Sequence, residues 1–152
     1  MAIQSIAQLI PVLQTAIGPV ILISGIGLLL LTMTNRYGRV IDRSRMLIDD
    51  LAKTAEEGKD KIKAQVRILW RRTQLIRYVI ALSAISALTA AMLIIFLFIT
   101  ALWQIDEVWI IVGLFMVCLV SLIGSLILFL YDINLSLAAL KLELEAEGIY
   151  EN

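Results

Sequence analysis

Three long stretches of the chain carry no charged side chain: Met1 to Asn35, Tyr78 to Ile105 and Val108 to Tyr131. About 20 consecutive apolar residues cross a hydrocarbon core as a helix, so the pattern predicts three membrane-spanning helices, at 18–35, 78–102 and 109–131. Residues 36–77 connect the first two, 103–108 form a short turn between the second and third, and 132–152 make an acidic tail. The fold class predicted is an all-α integral membrane protein whose first two spanning helices extend into an antiparallel helical hairpin.

The first uncharged run is longer than one span requires, and Gly18 and Pro19 divide it. Proline is well tolerated in the first turn of a helix, which sets the start of the first span near Pro19. In residues 1–17, Ile3, Ile6, Ala7 and Ile10 recur at helical spacing while Gln4, Ser5 and Gln8 fall elsewhere, as in an amphipathic helix lying in the outer interface. A single bent helix that includes this segment is the alternative.

The polar connection has a period of its own. Ile41, Ser44, Ile48, Leu51 and Ala55 alternate by three and four residues, and Ile62, Val66, Leu69, Thr73 and Ile76 repeat the pattern after "EEGKDK". Folded back antiparallel around Gly58 and Lys59, the arms place Ala55 opposite Ile62, Leu51 opposite Val66, Ile48 opposite Leu69, Ser44 opposite Thr73 and Ile41 opposite Ile76. One register satisfies every layer. The tail "DINLSLAALKLELEAEG" reads as a further helix, with Ile133, Leu137, Leu140 and Leu144 on one stripe.

Composition agrees with a bilayer setting: 61% of the 152 residues are hydrophobic and 17% charged, against about 45 to 50% apolar in soluble domains. The formal net charge of zero conceals an uneven distribution. Twelve of the thirteen Lys and Arg lie between Arg36 and Arg77, against six Asp and Glu, while the turn "LWQIDEVW" holds only Asp106 and Glu107. By the positive-inside rule residues 36–77 are cytoplasmic, the N-terminus is outside and the C-terminus inside. The first basic residue is Arg36, so no cleaved signal is expected.

At the join "LLLLTMTNRYGRVIDRSR" the charge density rises abruptly. Thr34, Asn35, Arg36, Arg39, Asp42, Arg43, Arg77 and Asp132 form the candidate interface or ion and lipid site, with Asp42 spaced to bridge Arg39 and Arg45. Acidic lipid head groups at the cytoplasmic face are the expected counterions. As ordinary topology determinants, these arginines need no further role.

Catalytic chemistry has no evident carrier. The chain has no histidine, no carboxylate pair within a span and no acid placed to activate Ser24, Ser83 or Ser121, and "SGIG" lacks the remainder of a dinucleotide motif. No cofactor or metal site is expected, and the protein is not read as an enzyme. The lone Cys118 has no disulfide partner and reads as a small packing residue. Because the basic residues of the connection are interleaved with Asp49, Asp50, Glu56, Glu57 and Asp60, nucleic acid is not an expected partner. Small residues within the spans favour self-association: Ser83, Ala87 and Ala91, with Ala84 and Ala90 close by, then Gly113, Ser121, Gly124 and Ser125, and a notch at Ser24, Gly25 and Gly27.

The segments "PVILISGIGLLLLTMTNRYGRVIDRSR", "RRTQLIRYVIALSAIS" and "YDINLSLAALKLEL" together resemble the bacterial membrane family catalogued as domain of unknown function 2721. The likeness runs from Pro19 to Glu145, and "LTMTNRYGRVIDRSR" is its most specific piece. It implies a small multi-span protein of a bacterial plasma membrane, and it brings no catalytic residues with it. Two functions are compatible with these features. One is a homo-oligomer enclosing or gating an ion pathway, with Asn35 to Arg43 at its cytoplasmic mouth. The other is a non-conducting scaffold that recruits a protein partner through the hairpin and tail.

Overall fold

In an apolar medium a backbone has no water to bond, so a long uncharged run satisfies its amides as helix throughout. The computed structural model describes residues 6–53, 56–103 and 108–146. Each stretch is one unbroken helix: α1 (Ile6–Lys53, 48 residues), α2 (Glu56–Trp103, 48 residues) and α3 (Val108–Ala146, 39 residues). At about 1.5 Å per residue these measure about 72, 72 and 58 Å, well beyond a hydrocarbon core of about 30 Å. Each holds a span long and apolar enough to cross a membrane, within Ile10–Lys53, Ile62–Trp103 and Val108–Leu137. The protein is an all-helical, multi-pass membrane protein.

The chain divides into two compact units, each built from all three helices. The first comprises Met1–Thr32 with Ile80–Gly124, and the second Met33–Val79 with Ser125–Asn152. In the first, α2 and α3 are joined by Ser86, whose hydroxyl donates to the Cys118 carbonyl at 2.8 Å, while Cys118 Sγ lies 3.3 Å from the Ser86 carbonyl. Gly124 faces Leu82, whose Cδ1 would make an ordinary van der Waals contact of 3.6 Å with a Cβ at that position. In the second, the Ser125 hydroxyl donates to the Val79 carbonyl at 3.1 Å. Small side chains thus bring backbones close, which is how helices associate where lipid removes most of the hydrophobic drive.

The buried positions of every helix recur at sevens. On α1 they include Ile26, Met33, Val40 and Leu47; on α2, Ile76, Ser83 and Ala90 alongside Val79, Ser86 and Leu93; on α3, Cys118, Ser125 and Asp132. A seven-residue repeat is the signature of a coiled-coil seam. The sequence displays it only in the polar connection, because the spans are apolar on every side and hide which side turns inward.

Two expectations change. The break before Pro19 is absent: Pro11 and Pro19 both lie inside α1, and the Thr15 hydroxyl donates to the Pro11 carbonyl at 2.9 Å. Each proline removes one amide donor, yet leaving the helix in an apolar setting would strand several more, so the single-helix alternative prevails from Ile6 onward. Ile3, Gln4 and Ser5 lie outside the described residues, as do Ala55, Asp106 and Glu107.

The second change concerns the inward stripe of α1. Ile48 is 53% exposed, whereas its neighbour Leu47 is 7% exposed, because the repeat that runs through Met33 and Val40 reaches Leu47. Ile41, Ser44 and Leu51 are half-buried, as are Ile62, Val66 and Leu69 on α2, while Thr73 and Ile76 are buried. Leu47→Ala is expected to cost about 2 kcal/mol or more through the cavity it leaves, and Ile48→Ala within about 0.5 kcal/mol. Urea unfolding of the two variants, followed by far-ultraviolet circular dichroism in mixed micelles, checks the order; equal losses would contradict the assigned stripe.

A buried carboxylate between two guanidiniums

The most polar interior point of the described chain lies in the second unit. Asp132 continues the α3 repeat of Cys118 and Ser125, and its side chain is 0% exposed. Arg36 of α1 places Nη2 3.0 Å from Asp132 Oδ2, and Arg72 of α2 places Nε 3.7 Å from Oδ1. All three helices therefore converge on one carboxylate.

The arginines are held from behind. The Arg36 guanidinium sits over the Phe129 ring, 5.6 Å from its centroid, a favourable cation–π arrangement. Arg72 Nη2 donates to the Ser136 hydroxyl, and that hydroxyl donates to the Asp132 carbonyl at 2.9 Å. Both carboxylate oxygens and Arg72 Nε nevertheless lack a hydrogen bond of good geometry. The 3.0 Å approach of Arg36 is an ion pair by distance whose alignment falls short of a hydrogen bond, so Coulomb attraction carries the contact. Two cations face one anion, a formal charge of +1 in a site that excludes water from the acid.

Two of the residues singled out in the sequence, Arg36 and Asp132, are brought together. Thr34, Asn35, Arg39, Asp42, Arg43 and Arg77 are exposed, and the ion pairs foreseen from Asp42 to Arg39 and Arg45 do not form among the described residues. Helical spacing allows that bridge, but on an open helix face it competes with water, and exposed pairs gain little. Arg72 was not foreseen. It lies seven residues before Val79 and fourteen before Ser86, so the buried repeat of α2 passes through it. Its place beside Arg71 made it look like one more topological charge.

The first unit offers a different kind of space. Gly18, Pro19 and Leu22 of α1, Ala90 and Leu93 of α2, and Phe115, Cys118 and Leu119 of α3 line a cavity of about 290 Å³. Its walls are apolar apart from the Cys118 thiol, which is turned to Ser86. Thr89 and Thr100 direct their hydroxyls to carbonyls of their own helix, Ile85 and Phe96 among them, and so add no polar wall. Among the described residues no group of three or more His, Cys, Asp or Glu is arranged to hold a metal ion.

The model of one protein family, described as a protein of unknown function (DUF2721), matches residues 16–142. No curated protein and no solved structure matches the chain. The matched stretch contains Arg36, Arg72, Phe129, Asp132 and Ser136 together with the buried repeats of all three helices, so the entire ion-pair group falls within it. Extending over most of the 152 residues, the match makes this chain a member of the DUF2721 family.

Proposed function

We propose that the protein is a self-associating membrane protein of a bacterial plasma membrane, whose copies join through the outer side of α1 and together enclose an ion pathway. The observation that carries this reading is an open glycine on the exposed side of α1. Gly25 is exposed on α1, with nothing within 4 Å of where its Cβ would stand; Gly18, seven residues before it, is as open but borders the cavity of the first unit. Glycine weakens a helix interior by about 1 kcal/mol relative to alanine, and within a span its use is close approach by another helix. Gly25 is not approached within the subunit. Ser24, Leu28 and Thr32 are exposed beside it.

The economy of a single copy supports the same reading. Only 17%, 17% and 11% of the most apolar windows of the three spans are buried inside one chain. Asn35, Arg39, Asp42 and Arg43 are exposed and available to a mouth between copies. In this reading the basic connection and the C-terminus are cytoplasmic, the connection folds back as a hairpin, and acidic lipids neutralise its charge. No catalytic step belongs to it.

Native mass spectrometry of the detergent-purified protein tests the assembly, and bilayer conductance then tests the pathway. The expected result is one closed multimer, with Gly25→Leu weakening association about tenfold or more by blocking close approach. A wild-type monomer, or a Gly25→Leu multimer of unchanged mass and stability, would overturn it. A second reading draws on the exposed Met46, Ile48, Ile68 and Trp70. These lie in the expected cytoplasmic arms, where apolar exposure suits a scaffold that recruits a protein partner.

A further inference from the structure

We infer that the Arg36–Asp132–Arg72 group binds a phosphate group, supplied by a lipid headgroup or by free inorganic phosphate. The inference does not depend on self-association. It starts from the charge: two guanidiniums and one carboxylate leave +1 at a point where Asp132 is wholly buried. An uncompensated charge with little access to water is costly, and a second anion offsets it.

The donors available fit an oxyanion. Each guanidinium has five N–H groups in a planar fork that matches phosphate oxygens. Arg36 directs Nη2 at Asp132, and Arg72 directs Nε at Asp132 and Nη2 at Ser136. The remaining donors of both, Nη1 included, bond nothing else among the described residues. Both side chains also keep an open edge, 20% exposed for Arg36 and 19% for Arg72. Phe129 and Ser136 fix the two forks in advance, so little side-chain freedom is lost when an anion arrives.

Depth selects the kind of anion. Arg36 is the first charge after the uncharged run that ends at Asn35, and Asp132 the first after the run Val108 to Tyr131. As helix the latter measures about 36 Å, slightly more than a hydrocarbon core, which brings Asp132 to the level of the headgroup phosphates.

The test uses the full-length protein in maltoside micelles, which contain no phosphate. Its unfolding temperature is followed against added phosphatidylglycerol and, separately, inorganic phosphate at constant ionic strength set with chloride. The wild type should be stabilised by at least one probe. Stabilisation by inorganic phosphate identifies free anion as a sufficient ligand, and stabilisation by phosphatidylglycerol alone identifies a lipid headgroup.

Charge arithmetic then separates a ligand site from a purely structural ion pair. Arg72→Gln makes the group neutral and should weaken the dissociation constant for the active probe about tenfold or more. Asp132→Asn raises the group to +2 and should start from a lower unfolding temperature yet gain more from the probe. Arg67→Gln, an exposed arginine outside the group, should respond as the wild type. Should Asp132→Asn fail to fold, Arg36→Gln takes its place and should lose the response as Arg72→Gln does. Absence of any shift in the wild type, an undiminished response in Arg72→Gln, or a smaller response in Asp132→Asn would overturn the inference.

Discussion

Asp132→Ala should destabilise the protein by about 3 to 5 kcal/mol, the range seen when one partner of a buried ion pair is removed. The effect is large because of what remains. Arg36 and Arg72 would stay four-fifths buried with the nearest negative charge gone, and Ser136 accepts from Arg72 Nη2 alone among their donors. The pair itself contributes much less than this figure, since taking three charges out of water offsets most of their mutual attraction. A triple change, Arg36→Met with Asp132→Leu and Arg72→Met, is therefore expected to cost less than Asp132→Ala alone. Unfolding in mixed micelles, followed by far-ultraviolet circular dichroism, compares the two. An Asp132→Ala loss below about 1 kcal/mol would mean that the arginines reach water or lipid without difficulty and that no ionic lock exists.

How much of this was legible follows from where polarity is informative. The three helices and their spans stood out because charge vanishes from long runs, and a run of that length has few alternatives in a bilayer. Arg36 and Asp132 were legible as the first charges beyond two of those runs. Arg72 was not, because its distinguishing feature is its register with Val79, Ser86 and Leu93, and a register within an apolar helix is visible only once the packed side is known. The same limit explains the small residues of α2. Ser83, Ala87 and Ala91 suggest a four-residue stripe, but helices that pack along their length follow alternating threes and fours, and the buried set is Ser83, Ser86 and Ala90. Leu47 and Ile48 illustrate it at one residue's resolution: both are apolar, and only the distance from Met33 and Val40 decides between them. The prolines were misread for a different reason, since the rule that proline begins or ends a helix assumes water to receive the freed carbonyl.

Ser86→Leu should be markedly more damaging than Ser86→Ala, and the difference would show what holds α2 against α3 in the first unit. The Ser86 hydroxyl donates to the Cys118 carbonyl at 2.8 Å and lies 3.4 Å from its thiol, so alanine loses a hydrogen bond between helices. Such bonds average about 0.6 kcal/mol in membrane proteins, because the separated helices find other partners. Leucine loses the bond and also adds two heavy atoms to a side chain that is 0% exposed. Overpacking of this kind costs about 1 to 3 kcal/mol, and here relief would require α2 and α3 to part along a seam that also includes Ser83 and Cys118. Val120→Leu, at an exposed position of α3, adds volume without crowding and serves as the reference for leucine itself. The expected order of unfolding temperatures is wild type and Val120→Leu together, Ser86→Ala slightly lower, and Ser86→Leu well below. If alanine proved as harmful as leucine, the hydrogen bond rather than the small volume would be the main contribution of Ser86, and the close-packing account of this seam would fail.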